Sequence, residues 1–301
     1  MHFGAHAVTL RQLQYCLAVS EARSFRLAAD RCHVSQPSLS AQIAELEAAL
    51  GIRLFERDRR AVLPTPAGEV VAERARRVLL EVEDLLGAAR TLVDPLSGTL
   101  RVGVIPTIAP YLLPRVDPSL RAAFERLTLV WCEDKTAALL AALWRGELEA
   151  ALVALEADLG DVVHETLGLD PFVLAVPRGH RLARSKRPVR VGELQGEPVL
   201  LLEDGHCFRD QTLALCARAG TRELGFRATS LTTLSQMVAG GEGITLLPKL
   251  AVDVECRGKD LVVRAFTRPA PKRTIVLAWR PGSALAASLQ SVARVARKAF
   301  A

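Results

Sequence analysis

Phe25-Arg-Leu-Ala-Ala-Asp-Arg-Cys-His-Val-Ser-Gln-Pro-Ser-Leu-Ser-Ala-Gln-Ile-Ala-Glu-Leu-Glu47 reads as two helices and the turn that joins them. Ser24 stands where its hydroxyl can cap a helix over 25–32, with Phe25, Ala28 and Ala29 turned inward. His33 and Val34 make the turn. Ser35 caps the next helix, and Pro37 falls in its first turn, where a missing N–H is tolerated. Leu39, Ile43, Leu46 and Leu50 share one face of this helix. Pro37, Ala41, Ala44 and Ala48 lie opposite, with Ser38 and Ser40 beside them. Gly51 ends it. Upstream, Thr9 caps a further helix carrying Leu10, Leu13, Leu17 and Ala18. Three short helices, the last two joined by a three-residue turn, predict a helix-turn-helix unit. Its third helix can enter a major groove, because its small residues permit close approach. Ser35, Gln36, Ser38 and Gln42 are placed to meet base edges and phosphates.

Downstream, Leu54-Phe55-Glu-Arg57-Asp-Arg59-Arg60-Ala-Val62-Leu63 sets two short apolar pieces around a charged turn. This reads as a β-hairpin, with Arg57, Arg59 and Arg60 available to phosphates or a minor groove. Pro64 stops it. Thr65-Pro66 opens a long helix, proline being favoured at a first helical position. Along it Val71, Ala75, Val78, Val82, Leu85, Ala89 and Leu92 recur at four-three spacing. Such a seam predicts a helix that pairs with a second copy; the alternative is a helix lying on its own domain. Asp94-Pro95-Leu-Ser-Gly98 breaks the helix and reads as a hinge.

From Thr99 the pattern changes. Strands are expected at 100–105, 127–131, 150–154, 172–176, 199–202, 243–247 and 274–279. Helices are expected at about 112–124, at 136–144 and at 283–300. Alternation of this kind predicts an α/β fold with a largely parallel sheet in two lobes.

The composition sets bounds. The chain has 301 residues, a net charge of +6 and six cysteines at 16, 32, 132, 207, 216 and 256. Its length suits two or three domains, and its basic balance suits a polyanionic partner. No Cys-x-x-Cys or Cys/His spacing occurs, so neither metal nor cofactor is expected. No run of about 18 apolar residues occurs either, and the first residues lack a basic-then-apolar signal pattern. The chain therefore reads as cytoplasmic, with no membrane partner. Thiols are reduced there by default, so a disulfide would be an event.

Two cysteines bear on that event. Cys207 and Cys216 lie in Glu203-Asp-Gly-His-Cys-Phe-Arg-Asp-Gln-Thr-Leu-Ala-Leu-Cys216. His206 and Arg209 flank the first and are expected to favour its thiolate. On a helix, nine residues place the two thiols roughly 13 Å apart along the axis. A disulfide needs Cα atoms within about 7 Å, so the pair bonds only if the segment refolds. The alternative for Cys216 is a small core residue beside Leu213 and Leu215.

The stretch 25–47, followed by Leu50-Gly51, Leu54-Phe55-Glu-Arg57 and Pro64-Thr-Pro-Ala-Gly68, resembles the winged helix-turn-helix of LysR-type transcriptional regulators. The resemblance implies an all-α winged helix-turn-helix domain over 1–64, including Pro37 at the DNA surface. A linker and dimerisation helix with its hinge follows over 65–97. A regulatory domain over 98–301 completes the chain. The last implies two Rossmann-like, periplasmic-binding-protein-like subdomains, at about 98–170 with 272–301 and at about 171–271. Double-stranded operator DNA and further copies of the chain, as a dimer of dimers, are the implied partners. RNA polymerase is a further candidate.

The 203–216 stretch, with Ile105-Pro-Thr107, Pro110-Tyr-Leu-Leu-Pro114, Phe226-Arg-Ala-Thr-Ser-Leu231, Gly243-Ile-Thr-Leu-Leu-Pro248, Arg273-Thr-Ile and Arg280-Pro-Gly-Ser283, resembles the family's peroxide-sensing members. This implies that Cys207 attacks hydrogen peroxide and that Cys216 resolves the product to a disulfide. It also implies that Thr107, Thr136, His206, Arg209 and Asp210 shape the pocket. Gly225 departs from the pattern, since such members carry histidine there, and about six residues precede the usual family start. A metabolite-responsive regulator with incidental cysteines is the alternative on the same scaffold. A thiol peroxidase would share the attack, but no reductant-docking motif is present, so no enzyme is expected.

Overall fold

Helix caps account for the N-terminal unit. The computed structural model describes residues 8–57, 62–93 and 96–300, and the chain divides into two compact units, 1–89 and 90–301. α1 (Leu10–Ala22) opens with a capping box between Thr9 and Gln12. α2 (Phe25–Arg31) is capped by Ser24 and α3 (Gln36–Leu50) by Ser35, whose Oγ accepts the Ser38 N–H at 3.3 Å. Each such cap contributes about 1 kcal/mol and sets where its helix begins. β1 (Phe55–Arg57) and β2 (Val62–Pro64) pair antiparallel as the expected hairpin. The Glu47 carboxylate accepts the N–H groups of Leu54 and Phe55 at 2.7 and 3.3 Å, which ties α3 to the hairpin.

α4 (Pro66–Val93) is capped by Thr65, whose Oγ1 accepts the Gly68 N–H at 2.9 Å. The core of this unit gathers Tyr15, Cys16, Val19, Phe25, Ala28, Ala29, Leu39, Ile43, Leu46, Leu54 and Phe55. The inward face of α1 therefore differs from the expected one. Gln12, Tyr15, Cys16 and Val19 are buried, while Leu10 is exposed and Leu13 and Leu17 are half-buried. Leu50, at the end of α3, is also exposed.

The second unit holds two cores. Its elements are β3 (Gly98–Val104), α5 (Ala109–Ala123), β4 (Leu127–Glu133), α6 (Thr136–Trp144), β5 (Ala150–Ala154), β6 (Val163–Pro177), β7 (Pro198–Leu202), α7 (Cys207–Ala219), β8 (Arg222–Ala228), α8 (Leu231–Ala239), β9 (Thr245–Pro248), α9 (Val252–Glu255), β10 (Leu261–Ala265), β11 (Lys272–Trp279) and α10 (Ala286–Phe300). A seven-stranded sheet runs β10-β6-β11-β5-β3-β4, with β9 also on β6; β7 and β8 form a separate parallel pair.

The sheet is mixed, which corrects the expectation of a largely parallel one. β3 pairs parallel with β4 and β5, but β11 pairs antiparallel with β5 and β6, and β6 antiparallel with β9 and β10. The reason is β6, a 15-residue strand that leaves the first lobe near Asp170 and enters the second at Phe172. β11 runs back beside it. Two antiparallel crossings thus join lobes whose other strands follow helices.

The two lobes meet closely. Tyr111 of α5 is buried in the second lobe's core, and its hydroxyl donates to Glu255 Oε1 of α9 at 2.8 Å. Arg273 at the start of β11 is fully buried and pairs with Asp170 of β6 at 3.0 Å.

Candidate functional site

α7 carries the cysteine pair, and its two ends sit in different cores. Cys207, the first residue of α7, belongs to the first lobe's apolar cluster with Leu139, Leu152 and Leu277. Cys216 packs in the second lobe's cluster with Phe208, Leu215 and Ala219. Both thiols are free and buried. The intact helix separates them by about 13 Å along its axis, too far to bond. Leu213, expected beside Cys216, faces solvent instead.

Elements from both lobes surround Cys207. The turn 203–206 leaves β7 and delivers the thiol to the N-terminus of α6. Gly205 takes φ 89° there, and an added Cβ would stand 3.1 Å from Lys135 Cδ, so the turn requires glycine. Burial pushes the Cys207 thiol above its ordinary range. Thr136, the Arg273 guanidinium and the Phe208 backbone N–H pull the other way, while Asp210 reinforces the rise. Thr136 Oγ1 biases the thiol toward thiolate by proximity, yet makes no hydrogen bond of ordinary geometry.

Two expectations about neighbouring charges need correction. Arg209 does not serve the thiol. Its guanidinium donates to Asp204 Oδ1 at 2.8 Å, Glu223 Oε1 at 2.9 Å and the Leu202 carbonyl at 3.1 Å. Two residues along a helix rotate a side chain by about 200°, so Arg209 points away from Cys207. Asp210, expected to shape the pocket, is exposed and lines a cavity together with Cys207. His206 is held toward its neutral form, because burial and then the Lys135 ammonium lower its pKa, against an opposing pull from Glu203. The cation that favours the thiolate is Arg273, 66 residues away in sequence. Arg273, beside Lys272 at the head of the apolar run 274–279, was the signal for it.

Thr107 supports that cation. Its Oγ1 and carbonyl accept from Arg273 at 2.7 and 2.8 Å, and the guanidinium lies 5.3 Å from the Phe208 ring centroid. Two other polar atoms near Cys207, Thr136 Oγ1 and His206 Nε2, are buried without hydrogen-bond partners, the Glu203 carboxylate standing 3.9 Å from the latter. Both side chains line a narrow pocket with Thr107, Lys135 and Cys207. Unpaired buried polar atoms are costly, so these mark a place for a small polar molecule. A second cavity beside Cys207, of about 530 Å³, is lined by Thr136, Glu156, Asp158, Asp210 and Gln211. Both amide atoms of Gln211 are also unpartnered. A cleft of about 350 Å³ between the lobes is lined by Thr107, Tyr111, Glu203, His206 and Thr232.

Lys135 closes the narrow pocket toward that cleft. Its Nζ meets Glu203 Oε1 at 2.5 Å and the Asp204 carbonyl at 3.1 Å, bridging the lobes. Lys135→Gln removes the cation that lowers the His206 pKa and frees that imidazole to take up a proton at higher pH. Histidine titration by NMR should show the upward move. The sign for stability follows: neutral His206 is favoured in the fold, so stability falls as pH drops below its ordinary value of 6.5. Lys135→Gln should soften that acid-side loss.

At the N-terminus of α3, Ser35, Gln36, Pro37 and Ser38 are exposed together. Ser35 also caps the helix, and Gln42 Nε2 donates to Glu45 at 2.8 Å. Arg59, Arg60 and the side chain of Arg57 lie outside the described residues. Along α4, Ala75 is buried within its own unit and Val71 packs on the α1–α3 core. Val78 and Leu85 are exposed at 44% and 68%, Ala89 is exposed and Val82 is half-buried. The Leu92 side chain lies outside the described residues. Among the described residues no group of His, Cys, Asp and Glu is arranged to hold a metal, and no helix is long and apolar enough to cross a membrane.

Residues 10–69 match the bacterial regulatory helix-turn-helix of the lysR family, and residues 94–301 match the LysR substrate binding domain. The chain belongs to the LysR family of bacterial regulators. Among its relatives is the hydrogen peroxide-inducible genes activator of Dickeya chrysanthemi, 45% identical over 97% of this chain and 95% of that protein. The DNA-binding transcriptional dual regulator OxyR of Escherichia coli K12 is 44% identical over 96% of this chain and 95% of its own length. A full-length OxyR variant from Pseudomonas aeruginosa superposes with a TM-score of 0.77 at 34% identity, covering 96% of this chain and 95% of that one. The oxidised form of OxyR matches 69% of this chain and 98% of its own, at a TM-score of 0.63 and 42% identity.

Proposed function

We propose that this regulator senses hydrogen peroxide through Cys207 and Cys216 and converts the oxidation into altered DNA binding. One observation carries the reading: the two thiols are held apart by one helix, each in a different core, and the first faces a pocket with two unpartnered buried polar atoms. The names of the relatives support the choice of oxidant.

The chemistry balances with peroxide as the only oxidant. The Cys207 thiolate attacks one peroxide oxygen; the O–O bond breaks, giving sulfenic acid and hydroxide, which takes a proton to become water. The Cys216 thiol then displaces the sulfenic oxygen, forming the S–S bond and releasing a second water. Thr136 and His206 orient the peroxide, and Arg273, held by Thr107 and Asp170, favours the thiolate. Asp210 and Arg209 border the site rather than take part in the attack. For the thiols to meet, α7 unwinds. That gives up burial of Phe208, Leu215 and Cys216, worth about 2–5 kcal/mol by analogy with core truncations. The disulfide must outweigh it.

On this reading 1–64 binds operator DNA through Ser35, Gln36, Pro37, Ser38 and Gln42, with Arg57, Arg59 and Arg60 on phosphates. Residues 65–97 pair the subunits along Val78, Val82, Leu85, Ala89 and Leu92, and 98–301 senses. The protein works in the cytoplasm as a dimer of dimers, contacts RNA polymerase and turns over no substrate. Peptide mapping by mass spectrometry after micromolar peroxide should find a Cys207–Cys216 disulfide in most chains. A protein whose Cys207 and Cys216 both stay reduced under that treatment would overturn the proposal.

A further inference from the structure

The distribution of charge is unusual for a chain that reads DNA with its N-terminal unit. Residues 1–97 contain twelve arginines and twelve carboxylates, so they carry no net charge. The whole excess of +6 lies in 98–301, with 27 basic against 21 acidic side chains. Most of it is in one place. Segments 178–197 and 260–268 together hold eight lysines and arginines against three carboxylates.

The fold brings these segments side by side on the second lobe. Val189 donates its N–H to the Ala265 carbonyl at 2.8 Å and accepts from the Thr267 N–H at 2.9 Å. All three carboxylates are taken: Asp260 by Arg178, Glu197 by Arg181 and Glu193 by Arg190. Arg184, Lys186, Arg187 and Arg268 are exposed and form no salt bridge among the described residues, Arg187 adding only a longer-range pull on Glu193. Beneath them Arg264, 5% exposed, donates to the Leu182 and Arg187 carbonyls and likewise meets no carboxylate. That buried cation fastens the loop and adds its own potential under the four exposed charges.

The surroundings indicate what such a surface takes. Protein interfaces are anchored by apolar and aromatic side chains at their centre. None of the large apolar side chains exposed on the described surface lies in either segment. Phosphodiesters need no such anchor, because they are held by charge alone and release counterions on binding. DNA held by the helix-turn-helix of the same chain is also presented at high effective concentration.

We propose that Arg184, Lys186, Arg187 and Arg268 form a sequence-independent contact with the phosphate backbone of duplex DNA. The sensing half of the chain thereby contributes directly to DNA affinity, whichever signal it senses.

The test uses the full-length protein and random-sequence duplex DNA, in a short form and one twice as long, titrated between 50 and 200 mM salt. The variant combines Arg184→Gln, Lys186→Gln and Arg187→Gln, all exposed side chains whose backbone anchors on Arg264 remain. Each lost phosphate contact makes the negative slope of log K against log salt shallower by about 0.9, so its magnitude should fall by roughly 2–3. The longer duplex should also lose its advantage over the shorter. A control with Arg218→Gln, Arg222→Gln and Arg294→Gln removes the same charge elsewhere and should keep the wild-type slope. An unchanged slope in the first variant, or an equal drop in the control, would overturn the proposal.

Discussion

Replacing Arg273 with methionine should destabilise the regulatory unit by about 3–5 kcal/mol, the usual cost of stripping one partner from a buried ion pair. Arg273 is 0% and Asp170 1% exposed, so no water screens the orphaned carboxylate. Asp170 Oδ1 also accepts the Leu250 N–H, which ties the loss to the second lobe. The same substitution removes a charge that favours the Cys207 thiolate, so the thiol pKa should rise further and peroxide oxidation should slow. Denaturant unfolding reads the first effect and thiol titration the second. Pairing Arg273→Met with Asp170→Leu should restore much of the stability without restoring the thiol pKa. Recovery of both would show that the arginine acts on Cys207 only through the fold.

Gly68→Ala should be nearly as damaging in the DNA-binding unit. An alanine Cβ at this position would lie 2.0 Å from the Leu54 carbonyl oxygen and 2.9 Å from its carbon. That oxygen accepts the Thr65 N–H at 2.9 Å, so the backbone cannot yield without breaking the start of α4. Ordinary helix propensity favours alanine by about 1 kcal/mol. Forcing a methyl into packed backbone costs about 1–3 kcal/mol and, for a contact this close, more. The clash wins, and thermal unfolding of the full chain should show a lower midpoint with DNA binding lost in parallel. An unchanged midpoint would mean that α4 can slide on the hairpin.

Much of this architecture was legible in the residues. Ser24, Ser35 and Thr65 announce their helices because a cap is a local event, decided within four positions. The apolar strands inside the second unit announce themselves because both their faces are buried. The first half of β6 did not, since Val163, His164, Glu165 and Thr166 are mostly exposed and Pro171 interrupts the run. β8 was missed for the same reason; all but Ala228 of its residues are exposed or half-buried. The inward face of α1 was misassigned because two apolar stripes fit a helix equally well, and only packing against α2 and α3 selects Cys16 and Val19. The charge on the thiol was misassigned because chain proximity suggested Arg209. On a helix, two residues apart means opposite sides, and the effective cation arrives on a strand from the other end of the unit.

The seating of Cys207 and Cys216 in separate cores has a consequence for energy conversion. A pair whose bonding requires unpacking has a reduction potential set partly by the folding free energy of its surroundings. For a two-electron couple, 30 mV corresponds to about 1.4 kcal/mol. Each kcal/mol by which a substitution weakens the reduced packing more than the oxidised one should therefore move the potential by roughly 20 mV toward easier oxidation. A methyl group deleted beside Leu215 or Phe208 would act as a calibration screw on the oxidant threshold, at a distance from the reacting sulfur. Temperature would turn the same screw, because it weakens that packing without touching the thiols.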